Sequence, residues 1–330
     1  MNPYITRWWF PVLMGCAKWR CPFGGTVHFF LRGFWFWERY GRVRPVKSSG
    51  TISVSIAEKA GRPWWLWLHV LSLDAVLVAL AGQEAFVHVA GVSLGAADRL
   101  LLGLCAWLAY CGDRLLDGRR LKTEAAMARH RFAQHHFKLL RLFWFLALLA
   151  AALLAWRLPL SEWRFGLVLL AIVSAYFFLQ HHRTTRKRAG RWKELMVGAG
   201  FAGGTLFFVV ARAELSLGLF CLGMAWAVAC MQNCLVIAGW DRDEDVAMDQ
   251  PSLARELSGL HYWMLIGLLV QLALVGLAVW SDWAWLKLGV ALLFSGALLG
   301  ELERRGMYWP TEQRRVWADA VLLIPLLTLV

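Results

Sequence analysis

The sequence predicts an all-α, polytopic membrane bundle of about nine transmembrane helices, and three observations carry that prediction. Of 330 residues, 59% are hydrophobic and only 17% are charged, whereas soluble domains run at about 45–50% and about 25%. From Trp64 onward, apolar runs alternate with short polar loops, and the runs approach the roughly 17–25 residues needed to cross the hydrocarbon. They lack the two-residue alternation of a membrane barrel. Their backbone polar groups must then be paired within helices.

Residues 1–62 stand apart from the remainder, 63–330. The stretch MNPYITRWWFPVLMGCAKWRCPFGG mixes Trp, Arg, Phe and Gly without a helical period or an apolar run of span length. It has no signal-peptide pattern, because a continuous apolar region followed by a small-residue cleavage site is missing. The expectation is a peripheral or poorly ordered segment. Next come predicted spans at 66–90, 94–112, 138–156, 165–181, 193–211, 215–238, 261–280, 283–300 and 316–330.

The loops between them sort by charge. Those near 113–137, 182–193 and 301–315 are basic, whereas the intervening ones carry few Lys or Arg. The positive-inside rule puts the basic loops and the N-terminus in the cytoplasm and, with an odd number of spans, the C-terminus on the other side. The net charge of +13 is accounted for by loops beside anionic lipid rather than by nucleic acid. Tryptophans such as Trp156, Trp163, Trp280, Trp283 and Trp285 fall near span ends, where aromatic residues anchor helices at the interface. The seven cysteines show no metal-ligand spacing and no paired framework. They read as reduced packing residues.

Two acidic clusters break this pattern at matching depth. AYCGDRLLDGRR ends the second predicted span with Asp113 and Asp117, and WDRDEDVAMD follows the sixth with Asp241, Asp243, Asp245 and Asp249. Asp113 with Asp117, and Asp241 with Asp245, are each four residues apart, which on a helix aims both carboxylates at one point. Gathering like charges at the edge of a low-dielectric slab is costly unless they are paired or hold a metal. Mg²⁺ takes oxygen ligands and is typically held by one or two carboxylates together with substrate phosphates. The two pairs therefore predict metal ions gripping a diphosphate. Asp249 and Asp243 are weaker candidates. Lys122, Arg129, Arg131 and Lys193 are placed to neutralise the remaining phosphate charge. Arg114 fits diphosphate contact, and equally well pairing with Asp117 or with a lipid phosphate. Asn233 fits either the pocket or an interhelical hydrogen bond, and Asp74 fits a helix cap or a pocket residue.

These residues resemble the UbiA superfamily of intramembrane aromatic prenyltransferases. DRLLDG (Asp113 to Gly118) is similar to the family's first Asp-rich motif, and WDRDEDVAMD with PSLA (Pro251 to Ala254) to its second. SLDAVLVAL (Ser72 to Leu80) looks like the first-helix segment, and WKELMVGAGFAGGT, with Lys193, like the opening of the fifth span. The resemblance runs from about Trp64 to the C-terminus. It implies a nine-span bundle in a bacterial inner (cell) membrane. It also implies Asp113, Asp117, Asp241, Asp245 and Asp249 on Mg²⁺, and Lys193, Arg114 and Lys122 on a prenyl diphosphate. The implied reaction transfers the polyprenyl group to a lipophilic acceptor. Three features depart from the pattern: Ala109 replaces the motif's usual Asn, TEAAMARHRF (Thr123 to Phe132) replaces an Arg-Pro segment, and Glu194 follows Lys193. These leave room for a relative that binds a lipid diphosphate without turnover. DGRR (Asp117 to Arg120) also fits part of a CDP-alcohol phosphatidyltransferase motif, but the rest of that motif is absent. A transporter would gather its ionisable groups at mid-bilayer, and here they lie at one face.

Overall fold

In a computed structural model, the described residues are 64–120, 128–181, 190–247 and 252–330. The 1–62 segment, Lys122 and Asp249 lie outside them. No strand occurs among the described residues, in keeping with the all-α expectation. The helices in chain order are α1 (Trp64–Val70), α2 (Leu73–Ala90), α3 (Ala96–Arg120), α4 (Ala128–His135), α5 (Phe137–Ala155), α6 (Leu160–His181) and α7 (Lys193–Arg212). They continue with α8 (Leu217–Trp240), α9 (Arg242–Ala247), α10 (Leu253–Glu256), α11 (Leu260–Ser281), α12 (Leu286–Arg305) and α13 (Thr311–Val321).

Among the described residues, seven helical segments are long and apolar enough to cross a membrane: Leu73–Ala90, Phe137–Ala155, Leu160–Gln180, Lys193–Arg212, Leu217–Trp240, Leu260–Ser281 and Trp283–Tyr308. The expected nine is not reached on that measure. All but the first two residues of the second predicted span lie in the 25-residue helix α3, which is charged at both ends and runs on through Asp113 and Asp117 to Arg120. The ninth departs further. Helix α13 stops at Val321, and a 3₁₀ segment, Ile324–Leu329, follows with Pro325 near its start. Proline has no N–H to continue the α-helical ladder.

Helix α8 is the central element. Its buried residues run from Gly218 to Trp240 and include Trp226, whose side chain is fully enclosed. It packs against α7, α11, α12 and α13, while the C-terminal 3₁₀ segment returns to lie against both α12 and α2. With no hydrophobic drive between helices in lipid, close packing and interhelical hydrogen bonds supply the cohesion. Gln232 donates to Met264 O (2.9 Å), Gln271 to Ala225 O (3.2 Å) and Ser295 to Val321 O (3.2 Å). Helices α5 and α6 are peripheral. They expose Leu142, Phe143, Phe145, Leu146, Leu167 and Val168, an apolar surface suited to lipid.

The α7–α8 contact is tight at Gly198, where a Cβ would lie 2.7 Å from Met231 backbone atoms. Backbone cannot rotate away as a flexible side chain can. Gly198→Ala is therefore expected to force the two helices apart and to cost about 1–3 kcal/mol, the usual range for overpacking. The check is a lowered melting temperature of the detergent-solubilised protein.

At one end of the bundle Arg212 joins two other helices, donating to Asp98 (2.6 Å) and to Glu162 (2.7 Å). Arg99 pairs with Glu84 nearby in the chain order, at 2.6 Å. These pairs close the α2–α3 and α6–α7 ends by setting three carboxylates on two guanidiniums. The acids singled out from the sequence lie away from them, at the α3 and α8 C-termini.

Candidate functional site

The site assembles where α3 and α8 end and α7 begins. Asp113 and Asp117 occupy the last two turns of α3, and Asp117 is buried. Asp241 follows the last residue of α8. The Asp245 N–H donates to Asp241 O (2.8 Å), so the helical path continues into α9 and keeps the four-residue stagger of the pair. Lys193 is the first residue of α7. The negative charges that act on its ammonium are those of Asp113, Asp117, Asp245 and Glu194. Members of both acidic pairs thus act electrostatically on one lysine.

Asp241 is placed differently from its partners. Its Oδ1 accepts from Arg315 through both Nε (3.1 Å) and Nη2, and Arg129 Nη2 stands 3.6 Å from its Oδ2. Arg315 is fully enclosed. Its neighbour Arg314 donates to Trp240 O at 2.9 Å, satisfying one of the carbonyls left open at the end of α8. Helix α13 therefore clamps the start of the second motif. The sequence reading treated Arg314 and Arg315 only as loop charge that sets topology. The pairing of Asp241 with Arg315 spans 74 residues and carries no local signature.

Arg114, expected on the diphosphate, directs Nη1 elsewhere. It donates to His69 O (2.7 Å) and Val70 O (2.8 Å), the last carbonyls of α1. Glu194 also has a structural task, since its Oε2 accepts from Leu253 N–H at 3.1 Å and ties the Ser252–Ala254 stretch to α7. Asn233 makes the interhelical hydrogen bond, donating to Asp319 Oδ1 at 3.3 Å.

His130 in α4 is buried, and burial followed by the charges of Arg129, Arg114, Arg315 and Lys193 drives its imidazole down to about 2. It is therefore neutral at any physiological pH, and it marks the point where four cations converge. Tyr176 lies within electrostatic reach of Asp113 and Asp117, as well as of Tyr110. Tyr110 in turn meets Phe201 edge-on, with ring centroids 6.1 Å apart. Aromatic side chains thus lie within electrostatic reach of the first acidic pair.

Burial, opposed by Lys193 and reinforced by Asp241, raises the Asp245 carboxyl to about 6. Its value in the unfolded chain is near 3.8, so ionising it costs more in the folded protein. Stability of the metal-free protein is unaffected below the unfolded value and is lost as the pH rises through about 6. Asp245→Asn is expected to flatten this fall and to add about 1–3 kcal/mol at neutral pH. Melting curves of chelator-treated protein between pH 4 and 8 (roughly the window set by that shift) provide the check.

Compared with known proteins, the chain matches no family model, no curated protein and no solved structure.

Proposed function

We propose that the chain is an intramembrane prenyltransferase of UbiA type, which moves a polyprenyl group from its diphosphate to an aromatic or other lipophilic acceptor. The observation that carries this reading is the convergence of Asp113, Asp117 and Asp245 on Lys193. On this reading all nine predicted segments traverse a bacterial inner membrane, with both motifs at its cytoplasmic face.

Carboxylate oxygens are the donors a hard divalent ion such as Mg²⁺ takes. Asp113, Asp117 and Asp245 act together on one cation, Lys193, but among the described residues their oxygens do not lie close enough to one another to form a ligand group, so a bound ion and its diphosphate would have to draw them together. Asp241 fits less directly, since Arg315 and Arg129 already occupy its two oxygens. When bound, Mg²⁺ would supply charge neutralisation of the diphosphate. The residues of the chain do the rest. Lys193 and Arg129 face the phosphate oxygens as the allylic C–O bond breaks and the electron pair leaves with the diphosphate. Cations fixed there act on charge that develops in the transition state. Tyr176 and Tyr110 shield the allylic cation from water and stabilise it through their ring faces. Buried Arg315 holds Asp241, and through it the start of α9, in register with α3.

One observation favours a second reading, in which the chain binds a lipid diphosphate without turnover. Asp241 is locked to two arginines, and Ala109 stands where the resembled motif has Asn. The experiment that separates the readings supplies radiolabelled polyprenyl diphosphates, Mg²⁺ and a panel of phenolic and other ring acceptors. Release of diphosphate together with a prenylated product supports the enzyme. Saturable binding with neither product supports the binder, and no binding contradicts both.

A further inference from the structure

A second polar cluster, formed by residues the prenyl-transfer reading leaves unused, joins the first helices of the bundle to the last. His69 ends α1, Asp74 lies in the first turn of α2, and Asp319 lies near the end of α13. Ser72, between His69 and Asp74, adopts φ 61°, a left-handed conformation rare for a residue with a Cβ. That turn folds α1 back so that the His69 ring meets Asp74. Arg114 secures it by donating to the His69 and Val70 carbonyls.

One nitrogen of His69 and one oxygen from each of Asp74 and Asp319 all lie within 4.8 Å of one another. His69 Nδ1 is 2.5 Å from Asp74 Oδ2 and 4.0 Å from Asp319 Oδ2. The second oxygen of each carboxylate is held from outside. Asp74 Oδ1 accepts from Ala75 N–H at 2.8 Å, and Asp319 Oδ1 accepts from Asn233 at 3.3 Å. Both Oδ2 atoms are therefore turned toward the imidazole. Two carboxylates this close repel unless a proton or a cation lies between them.

A further observation concerns the imidazole itself. Its side chain is 3% exposed, yet Nε2 has no hydrogen-bond partner. That nitrogen points toward Glu312 Oε2 at 3.6 Å. Metal-ligating histidines characteristically direct their other ring nitrogen at a carboxylate, which fixes the tautomer and the ring orientation. A distance slightly too long for a hydrogen bond closes readily once Nδ1 is committed to a metal and Nε2 must carry the proton.

We propose that His69 Nδ1, Asp74 Oδ2 and Asp319 Oδ2 form a divalent transition-metal site, with Glu312 as the carboxylate that orients His69. The mixed nitrogen and oxygen donor set selects Zn²⁺, Mn²⁺ or a similar ion over Mg²⁺, which prefers oxygen alone. Three protein ligands leave coordination positions open to water or to a substrate oxygen, as in catalytic rather than structural zinc sites. The site also ties α1 and α2 to α13, holding together the two ends of the described bundle. It shares no ligand with Asp113, Asp117 or Asp245, so its presence does not depend on the prenyl-transfer reading.

The test uses full-length protein in detergent, with any affinity tag removed and metal stripped by chelator, titrated with Co²⁺ as a spectroscopic stand-in for Zn²⁺. The expected result is a saturable ligand-field absorption band that Zn²⁺ abolishes and excess Mg²⁺ does not. His69→Gln and Asp319→Asn should weaken binding roughly 100-fold, and Glu312→Gln roughly 10-fold, spanning the range seen when metal-site partners are lost. Asp117→Asn should leave the titration unchanged. No band, a band indifferent to His69→Gln and Asp319→Asn, or one lost equally in Asp117→Asn would overturn the proposal. If the His69 variant does not fold, spin-echo spectroscopy of Mn²⁺-loaded wild-type protein carrying ¹⁵N-histidine decides. A histidine nitrogen coupling that disappears in Asp319→Asn is expected, and its absence in the wild type overturns the site.

Discussion

Lys193→Met is expected to leave a bundle whose stability depends on added divalent cation. The ammonium removed is the positive charge on which Asp113, Asp117, Asp245 and Glu194 act together. Without it, those carboxylates lose the cation on which all four act. Removing one partner of a buried ion pair typically costs about 3–5 kcal/mol, because the remaining charge is left uncompensated. Lys193 is only partly enclosed, so a loss near the lower end of that range, about 3 kcal/mol, is expected. Mg²⁺ should restore much of the lost melting temperature in Lys193→Met and little in wild type. Lys193→Arg keeps the charge and should behave as wild type in this assay. A Lys193→Met protein as stable as wild type in chelator would show that the acids do not converge as described.

Arg315→Leu should cost more. Its guanidinium is fully enclosed and engages Asp241 Oδ1 through two nitrogens, with Nη1 also 3.7 Å from Glu312. Truncation strands a buried carboxylate at the junction of α8 and α9, and a loss of about 3–5 kcal/mol is expected. Arg315→Lys should not rescue it, because an ammonium on a flexible stem cannot reproduce the planar fork. The double variant Arg315→Leu with Asp241→Leu should be less damaged than the sum of the two single changes, since the pair is lost together. Strict additivity in urea or thermal unfolding would contradict the pairing.

The positions that could be read from the sequence are those with local signatures. Asp113 with Asp117, and Asp241 with Asp245, were visible because a four-residue spacing on a helix fixes relative direction before any tertiary structure is known. Lys193 was visible as a basic residue suited to neutralising phosphate and through its resemblance to a lysine at the opening of the fifth span. What could not be read was which charges meet across the bundle. Arg315 and Asp241 are joined only by the docking of α13 on the end of α8, and nothing near Arg315 distinguishes it from a topology-setting loop charge. Arg114 offered three roles in sequence, contact with a diphosphate, with Asp117 or with a lipid phosphate, and its Nη1 takes up another, closing the end of α1.

Asp319 did carry a signal that was passed over. It is an acid inside the predicted 316–330 span, where an ionisable residue needs a partner. It finds His69, Asp74 and Asn233. The same segment shows why the predicted count of nine was not reached. Average hydropathy over 316–330 suits a membrane helix, but Pro325 divides the run and the chain continues as a 3₁₀ segment. The 25-residue α3 shows the converse, since its charged ends conceal an apolar stretch inside a longer helix.

The most direct test of the proposed diphosphate site is thermal stabilisation of the detergent-solubilised protein by geranylgeranyl diphosphate, with and without Mg²⁺, in wild type and in Asp117→Asn and Lys193→Met. The predicted result is a rise in melting temperature that requires Mg²⁺ and is lost in both variants. Stabilisation indifferent to the metal and to both substitutions, or none with any prenyl chain length, would contradict it and return the acids to the role of loop charges.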